Sequence, residues 1–161
     1  MNQPFKTARD VSEHLLEKTE QAILSYSIDG FLPCFCLPTE IQTFDGRRLI
    51  RTDEELRHLF LAVTKHYATI GVTDMVRHCV EASFTDPQTV VAMHETRLIT
   101  GNVITRNPFP ALSVLKFNGT VWQISSCSYA IEDQREHNAA LMSAGQDHPA
   151  DDGTALPFKR S

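Results

Sequence analysis

The sequence predicts an α+β fold, in which N-terminal helices pack on a curved antiparallel sheet. Two stretches before residue 72 show helical periodicity, and residues 73–131 have the pattern of four consecutive strands. The last two strands flank Asn118-Gly119, a pair that accepts positive φ and is typical of tight turns between antiparallel strands. Helices followed by a run of strands is the element order of an α+β domain.

Two helices are predicted before the strands. The first covers residues 5–28, where apolar side chains recur at helical spacing along one face. Asp29-Gly30 should end this helix. The second begins at a capping box, in which the Thr52 hydroxyl and the Glu55 carboxylate each satisfy a free backbone amide. Gly71 ends the second helix, and both helices should cover the concave face of the sheet.

Short extended segments are predicted between the two helices. Residues 31–37 are apolar and should form a strand, but the internal Pro33 suits only an edge or a bulge because proline cannot donate to a ladder. Residues 41–50 should form a short hairpin element around Asp45-Gly46.

The four later strands should form a meander. Their predicted ranges are 73–84, 89–100, 111–117 and 120–131. The connection at 101–110 contains two prolines and is too long for a tight turn, so it should form a lip at the open end of the sheet.

The register of the last hairpin follows from a two-residue turn at Asn118-Gly119. It predicts three facing pairs, Phe117 with Thr120, Leu115 with Trp122, and Ser113 with Ile124, on the face that holds the large apolar side chains. This face should look toward the helices. The side chains that should point away are Lys116, Gln123 and Ser125.

The hairpin that turns at Asp86-Pro87 has two possible registers. A three-residue loop places His78 and His94 together in an apolar cup and puts Arg77, Glu81, Glu95 and Arg97 on the opposite face. A two-residue loop keeps His78 on the apolar face but replaces His94 by Glu95, which would then face His78 directly. We favour the first register because it separates charged from apolar side chains better.

The pattern resembles the NTF2-like (SnoaL-like, cystatin-like) superfamily over about residues 5–133. The resemblance is carried by a long first helix, a short strand pair, a capped second helix and a meander that ends in Leu-Lys-Phe-Asn-Gly-Thr-Val-Trp-Gln-Ile. It implies a cone-shaped pocket, homodimers built on the sheet, and functions that range from isomerase and dehydratase to non-catalytic binding. It transfers no catalytic set, because fold alone does not specify function.

The composition of the chain argues against some classes of binding partner. The chain has 15 Lys+Arg and 20 Asp+Glu, and the net charge of −5 opposes binding to nucleic acid or anionic membranes. No stretch is apolar enough to cross a bilayer or to act as a secretory signal, so we expect a cytoplasmic protein. The four scattered cysteines are expected to be reduced thiols.

The sequence shows no motif for a cofactor. It contains no glycine-rich phosphate loop and no Gly-x-Ser-x-Gly elbow. His94-Glu95 begins like a zinc-binding pair, but the second ligand position is occupied by Leu98. We therefore expect neither a metal nor another cofactor.

Three functions fit these residues. The first is binding of a small apolar metabolite without turnover. The pocket residues expected for it are Tyr26, Thr96, Trp122 and Ser113. The second is a cofactor-free isomerase or dehydratase in which His94 or His78 is the general base. The third is a dimeric module whose sheet surface recognises another protein. No polarising donor stands out opposite the base, so binding ranks above catalysis.

One domain should account for the folded chain. Residues 1–134 are expected to form the NTF2-like unit, and 135–161 a C-terminal extension. From about residue 145 the composition offers little apolar surface to bury, so we expect that part of the extension to be mobile.

Overall fold

A computed structural model describes residues 3–104, 107–131 and 135–143. Its helices are α1 (Ala8–Leu24), α2 (Ile28–Phe31), α3 (Asp53–Thr69) and α4 (Arg135–Leu141). Its strands are β1 (Phe35–Thr43), β2 (Gly46–Ile50), β3 (Asp74–Asp86), β4 (Thr89–Thr100), β5 (Val103–Ile104), β6 (Phe109–Phe117) and β7 (Trp122–Tyr129). The predicted α+β class is confirmed.

The strands form one sheet in the order β2-β1-β7-β6-β4-β3, with β5 attached to β4. The predicted meander β3-β4-β6-β7 is antiparallel throughout. Strand β1 pairs with β7 in parallel, a pairing that the sequence did not predict. The β1–β2 hairpin around Asp45-Gly46 is present as predicted and extends the sheet beyond β7.

Both long helices begin at side-chain caps. The capping box is confirmed, because the Thr52 hydroxyl accepts from the Glu55 amide at 3.1 Å and the Glu55 carboxylate accepts from the Thr52 amide at 3.2 Å. Thr7 caps α1 by accepting from the Asp10 amide at 3.0 Å. The capping box explains why the start of α3 was predicted correctly, whereas α1 begins at Ala8 rather than at the predicted residue 5.

The segment between α1 and β1 differs from the prediction. The first helix ends at Leu24 rather than near residue 28, and Tyr26 takes a positive φ of 56°. Ser27 then caps the short helix α2, and a 3-10 turn at Leu32–Cys34 follows. The strand predicted at 31–37 therefore begins only at Phe35. Pro33 lies in the first turn of the 3-10 helix, where its missing N–H costs no hydrogen bond.

The turn between β6 and β7 is wider than predicted. Phe117 pairs with Trp122 rather than with Thr120, and the Asn118 side chain accepts from the amides of Thr120 and Val121. The register is therefore wrong near the turn, where it slips by two residues. A slip of two leaves the side chains near the turn on their predicted face, because strands alternate with period two.

A second irregularity lies farther along the same pair of strands. Ser113 pairs with Cys127 rather than with Ile124, because β7 bulges between Ile124 and Ser126. Beyond that bulge the inward positions of β7 change from even to odd numbers. Cys127 and Tyr129 consequently face the same side as Ser113.

The β3–β4 hairpin contains both registers considered above. In the middle of the hairpin Ala82 pairs with Ala92, as predicted for a three-residue loop, whereas on the far side His78 pairs with Glu95, as predicted for a two-residue loop. A bulge at Val80 absorbs the difference. The favoured single register is therefore wrong for the far half of the hairpin. The loop itself has two residues, because Asp86 pairs with Thr89 and a further bulge lies between Phe84 and Asp86.

Helix α1 binds the backbone at this bulge. The Arg9 guanidinium donates to the carbonyls of Cys79 and Val80, and the Glu13 carboxylate accepts from the Cys79 amide at 2.9 Å. A bulge leaves ladder groups unpaired, and these side chains supply their partners. The bulge is thus stabilised by a helix that lies more than 60 residues earlier in the chain.

The predicted C-terminal extension begins with a packed helix. In α4, His137 and Asn138 are each 1% exposed, and the Asn138 side chain donates to the Ile131 carbonyl at 3.0 Å. The helix lies against α3. The segment after about 145, predicted to be mobile, lies outside the described residues, and the domain boundary at 134 stays a prediction.

Two other expectations concern the whole described chain. All four cysteines are free thiols. Among the helices of the described ranges, none has the length and apolar character that crossing a membrane requires.

Candidate functional site

A cavity of about 70 Å³ lies between helices α1 and α3 and the concave face of the sheet. It is partly open to solvent. Most of its wall is apolar, with contributions from Leu15, Phe31, Val63, Met75 and Phe109. A space of this size accepts several water molecules or part of a small ligand.

His94 provides a polar group in this apolar wall. The residue is 3% exposed, and its Nε2 atom is buried without a hydrogen-bond partner among the described residues. Burial, and then the charges of Arg77 and His78, lower the pKa of His94 from its ordinary 6.5 to about 3. The ring is therefore neutral at physiological pH, with one nitrogen able to donate and the other able to accept.

Arg77 reaches the cavity from β3. Its Nη1 donates to the Thr19 hydroxyl at 2.7 Å and to the Leu16 carbonyl at 3.3 Å, so α1 holds one end of the guanidinium. The Thr19 hydroxyl in turn donates to the Leu15 carbonyl at 2.8 Å. Arg77 forms no ion pair with any residue that the structure describes. Its charge counteracts the effect of burial on Tyr67, Cys127 and Tyr129, whose pKa values burial raises.

A second polar group lies on β6 and β7. The Ser113 hydroxyl and the Cys127 thiol are 3.2 Å apart, and Tyr129 forms a further side-chain hydrogen bond with Cys127. Burial raises the pKa of both Cys127 and Tyr129. Both groups are protonated at neutral pH. The side chains of Ser113, Cys127 and Tyr129 therefore supply neutral hydrogen bonds rather than charge.

Tyr67 connects the cavity to the C-terminal helix. Its side chain lines the cavity from α3, and its hydroxyl is 2.8 Å from Nε2 of His137 on α4. Burial raises the pKa of Tyr67, so its hydroxyl remains protonated. Helix α4 therefore contributes to the cavity wall through this bond and through Leu141.

Comparison with solved structures finds proteins of the same fold. A domain of unknown function with a cystatin-like fold from Nostoc punctiforme superposes with a TM-score of 0.63, at 16% identity and over 83% of each chain. An NTF2-like protein of unknown function from Shewanella oneidensis gives 0.61 at 12% identity, over 76% of this chain and 98% of the other. The chain has the NTF2-like fold.

A further solved structure with this fold carries a different description. A ketosteroid isomerase-like protein from Erwinia carotovora atroseptica superposes with a TM-score of 0.55, at 16% identity, over 78% of this chain and 97% of the other. No protein-family model and no curated protein matches the sequence. The NTF2-like cone is thus established by structure, while its function must be argued from the cavity.

Three predicted site residues line the cavity of this NTF2-like cone: His94, Thr96 and Ser113. All three are nearly buried, and each lies at an inward position of β4 or β6. His94 lies in the cavity wall, where the favoured register of the β3–β4 hairpin places it. Its role and those of Thr96 and Ser113 stay predictions.

Three others do not line the cavity. His78 is exposed on the outer face beside Glu95, because the bulge at Val80 reverses the alternation of β3. Trp122 is 3% exposed but packs in a separate apolar cluster with Phe117. Tyr26 is 62% exposed after the end of α1. Their predicted placement in the cavity is wrong.

The sequence analysis missed Arg77, which it placed on the outer face. In the structure Arg77 pairs with Thr96 and points into the NTF2-like cone. In the structure the inward positions of β3 change from odd numbers, at the buried Met75 and Cys79, to an even number at the half-buried Ala82. Such a change of phase within one strand indicates a bulge.

Proposed function

We propose that this protein binds a small, mostly apolar molecule in the cavity between α1, α3 and the sheet. The observation that carries the proposal is the buried Nε2 of His94, which has no partner among the described residues. More than nine in ten buried polar groups are hydrogen-bonded, and an unsatisfied one costs about 1–3 kcal/mol. A ligand with one polar atom at His94 would recover that cost.

The remainder of the wall suits the same ligand. Binding sites for small molecules are largely apolar, with a few polar groups that orient the ligand. Leu15, Met75 and Phe109 supply apolar contact, while His94 and Ser113 supply the polar groups. The functional assignment rests on this chain's own residues rather than on the names of its structural relatives.

The alternative function, a cofactor-free isomerase or dehydratase, has weaker support. It would use His94 as the general base. The structural similarity to a ketosteroid isomerase-like protein is the reason for considering it. A base whose pKa is about 3 is a poor proton acceptor at neutral pH. No described carboxylate forms a hydrogen bond with His94. These two facts favour binding without turnover.

Amide chemical shifts in NMR spectra test the binding function. Benzyl alcohol and hexanol, both neutral, are expected to shift amides of residues that line the cavity, such as Met75, Thr96 and Ile124. Ser113→Leu fills the cavity and should abolish these shifts. Ser126→Leu makes the same change on the outer face of β7 and should leave them intact. Binding that survives Ser113→Leu, or shifts on the outer face alone, would contradict the proposal.

We also propose that a second copy of the chain covers the outer face of the sheet. Val76, Val80, Met93 and Leu112 are each between 38% and 46% exposed there. Met93 and Leu112 pair directly across β4 and β6, so they form continuous apolar surface. An exposed patch of this kind is typical of two-fold interfaces.

Sedimentation measures this assembly directly. The wild-type chain is expected to sediment as a dimer at micromolar concentration, and Leu112→Lys should produce monomers because it places a charge in the interface. Val103→Lys, at an exposed residue on the short strand β5, is the control and should leave the dimer unchanged. A wild-type monomer would refute the interface.

A further inference from the structure

Arg77 carries a charge that the described protein does not neutralise. Its hydrogen bonds to Thr19 and Leu16 both use Nη1. The charge of Arg77 acts on Glu20 of α1 and lowers the pKa that burial raises, yet the two residues form no ion pair. The Nε–Nη2 edge of the guanidinium has no partner among the described residues. That edge presents parallel N–H groups, the geometry that binds a carboxylate with two hydrogen bonds.

His94 is a diagonal neighbour of Arg77 across β3 and β4. Arg77 pairs with Thr96, and His94 precedes Thr96 by two residues on the same face of β4. Diagonal neighbours of this kind lie about 7–8 Å apart, within the span of one carboxylate held between two side chains. The nearness is also evident in the charge of Arg77 acting on His94.

We propose, on the basis of the ligand-binding function above, that the ligand is a small carboxylic acid with an apolar body. Its carboxylate would take two hydrogen bonds from the Nε–Nη2 edge of Arg77 and one from His94 in its Nε2–H tautomer. The hydrocarbon part would lie against Leu15, Met75 and Phe109. A single fixed cation in an apolar wall matches a monoanion, because a dianion would bury an uncompensated charge.

Thr19 is the positioning residue in this arrangement. Its hydroxyl accepts from Nη1 of Arg77 while donating to the Leu15 carbonyl, so it serves as an acceptor for the guanidinium. With Nη1 held on α1, the opposite edge of the guanidinium is directed away from the helix. The arginine is thereby ordered before ligand binds, which reduces the entropy cost of binding.

The test compares hexanoate with hexanol, which share a chain and differ in the head group. Calorimetry at about pH 7.5, where the acid is ionised, is expected to show hexanoate binding at least about tenfold more tightly. Arg77→Gln should remove that preference while leaving hexanol affinity within about threefold. Arg97→Gln is the matched control, since Arg97 is a cation on the outer face paired with Glu95 at 2.6 Å, and it should change neither affinity.

A second variant keeps the positive charge at residue 77 and removes the two parallel N–H groups of the guanidinium. Arg77→Lys should lower hexanoate affinity by about tenfold, because an ammonium cannot present two parallel N–H groups. This variant also serves if Arg77→Gln does not fold. Circular dichroism of each variant checks the fold.

The outcomes separate this inference from the function on which it rests. Equal affinity for hexanoate and hexanol, or a preference that survives both Arg77 variants, would overturn the carboxylate and leave ligand binding standing. A loss of hexanoate binding in Arg97→Gln as large as in Arg77→Gln would place the anion outside the cavity and overturn it as well. Failure of both compounds to bind in the cavity would end the binding function itself.

Discussion

Replacing Trp122 by Ala is expected to lower the free energy of unfolding by roughly 3–5 kcal/mol. The indole is 3% exposed, its ring centroid lies 5.5 Å from that of Phe117, and its Nε1 donates to Gln3 at 3.2 Å. Truncation removes this burial and leaves a cavity in the cluster that joins α1 to β6 and β7. Because Trp122 does not line the ligand cavity, the loss should be one of stability alone.

Urea unfolding followed by circular dichroism measures this change. Val121→Ala, at the preceding residue and 45% exposed, is the control and should cost less than about 1 kcal/mol. A Trp122→Ala protein that is less than about 1 kcal/mol weaker would show that the ring is not part of the core. Ligand affinity in this variant should match that of the wild type wherever the protein is folded.

The second large effect is a pH dependence of stability that originates in His94. Its pKa is about 3 in the folded protein and near 6.5 when unfolded, so the unfolded chain binds a proton that the folded chain excludes. Stability from this residue is complete above pH 6.5 and falls as the pH drops toward 3. Between about pH 7.5 and 4.5 the loss should be roughly 2–3 kcal/mol.

The measurement is urea unfolding of wild type and His94→Gln at these two pH values. Glutamine does not titrate, so the variant should lose roughly 2–3 kcal/mol less than the wild type over this range. His78→Gln is the comparison variant and should change the slope far less than His94→Gln, because burial is the largest cause of the lowered pKa of His94 and the charge of His78 is the smallest. Equal slopes for wild type and His94→Gln would contradict the burial of a neutral imidazole.

The candidate site was predictable where the sequence alternates regularly. Thr89–Thr100 was predicted with its observed bounds, and its inward set of Val90, Ala92, His94, Thr96 and Leu98 is buried throughout. Strand β4 has neighbours on both sides and no bulge within its own residues. A strand of that kind keeps period two along its length, so one correctly placed residue orients the rest.

The partner strand was not predictable in the same way. Arg77 and His78 exchange faces because of one extra residue at Val80, and the backbone of Cys79 and Val80 is held there by Arg9 and Glu13 from α1. The sequence near Val80 contains neither of these partners. The alternation of β3 alone therefore predicts Arg77 on the outer face.

By itself the sequence determined the α+β class, the capping box that starts α3 and the antiparallel meander, and it favoured the register that places His94 in the cavity. These features depend on hydrogen bonds and alternation within a few residues, which a linear pattern records. The tertiary structure alone decided the parallel β1–β7 pair, the bulge at Val80 and the entry of Arg77 into the cavity. Those depend on contacts between segments distant in the chain, where packing and backbone hydrogen bonding outweigh local alternation.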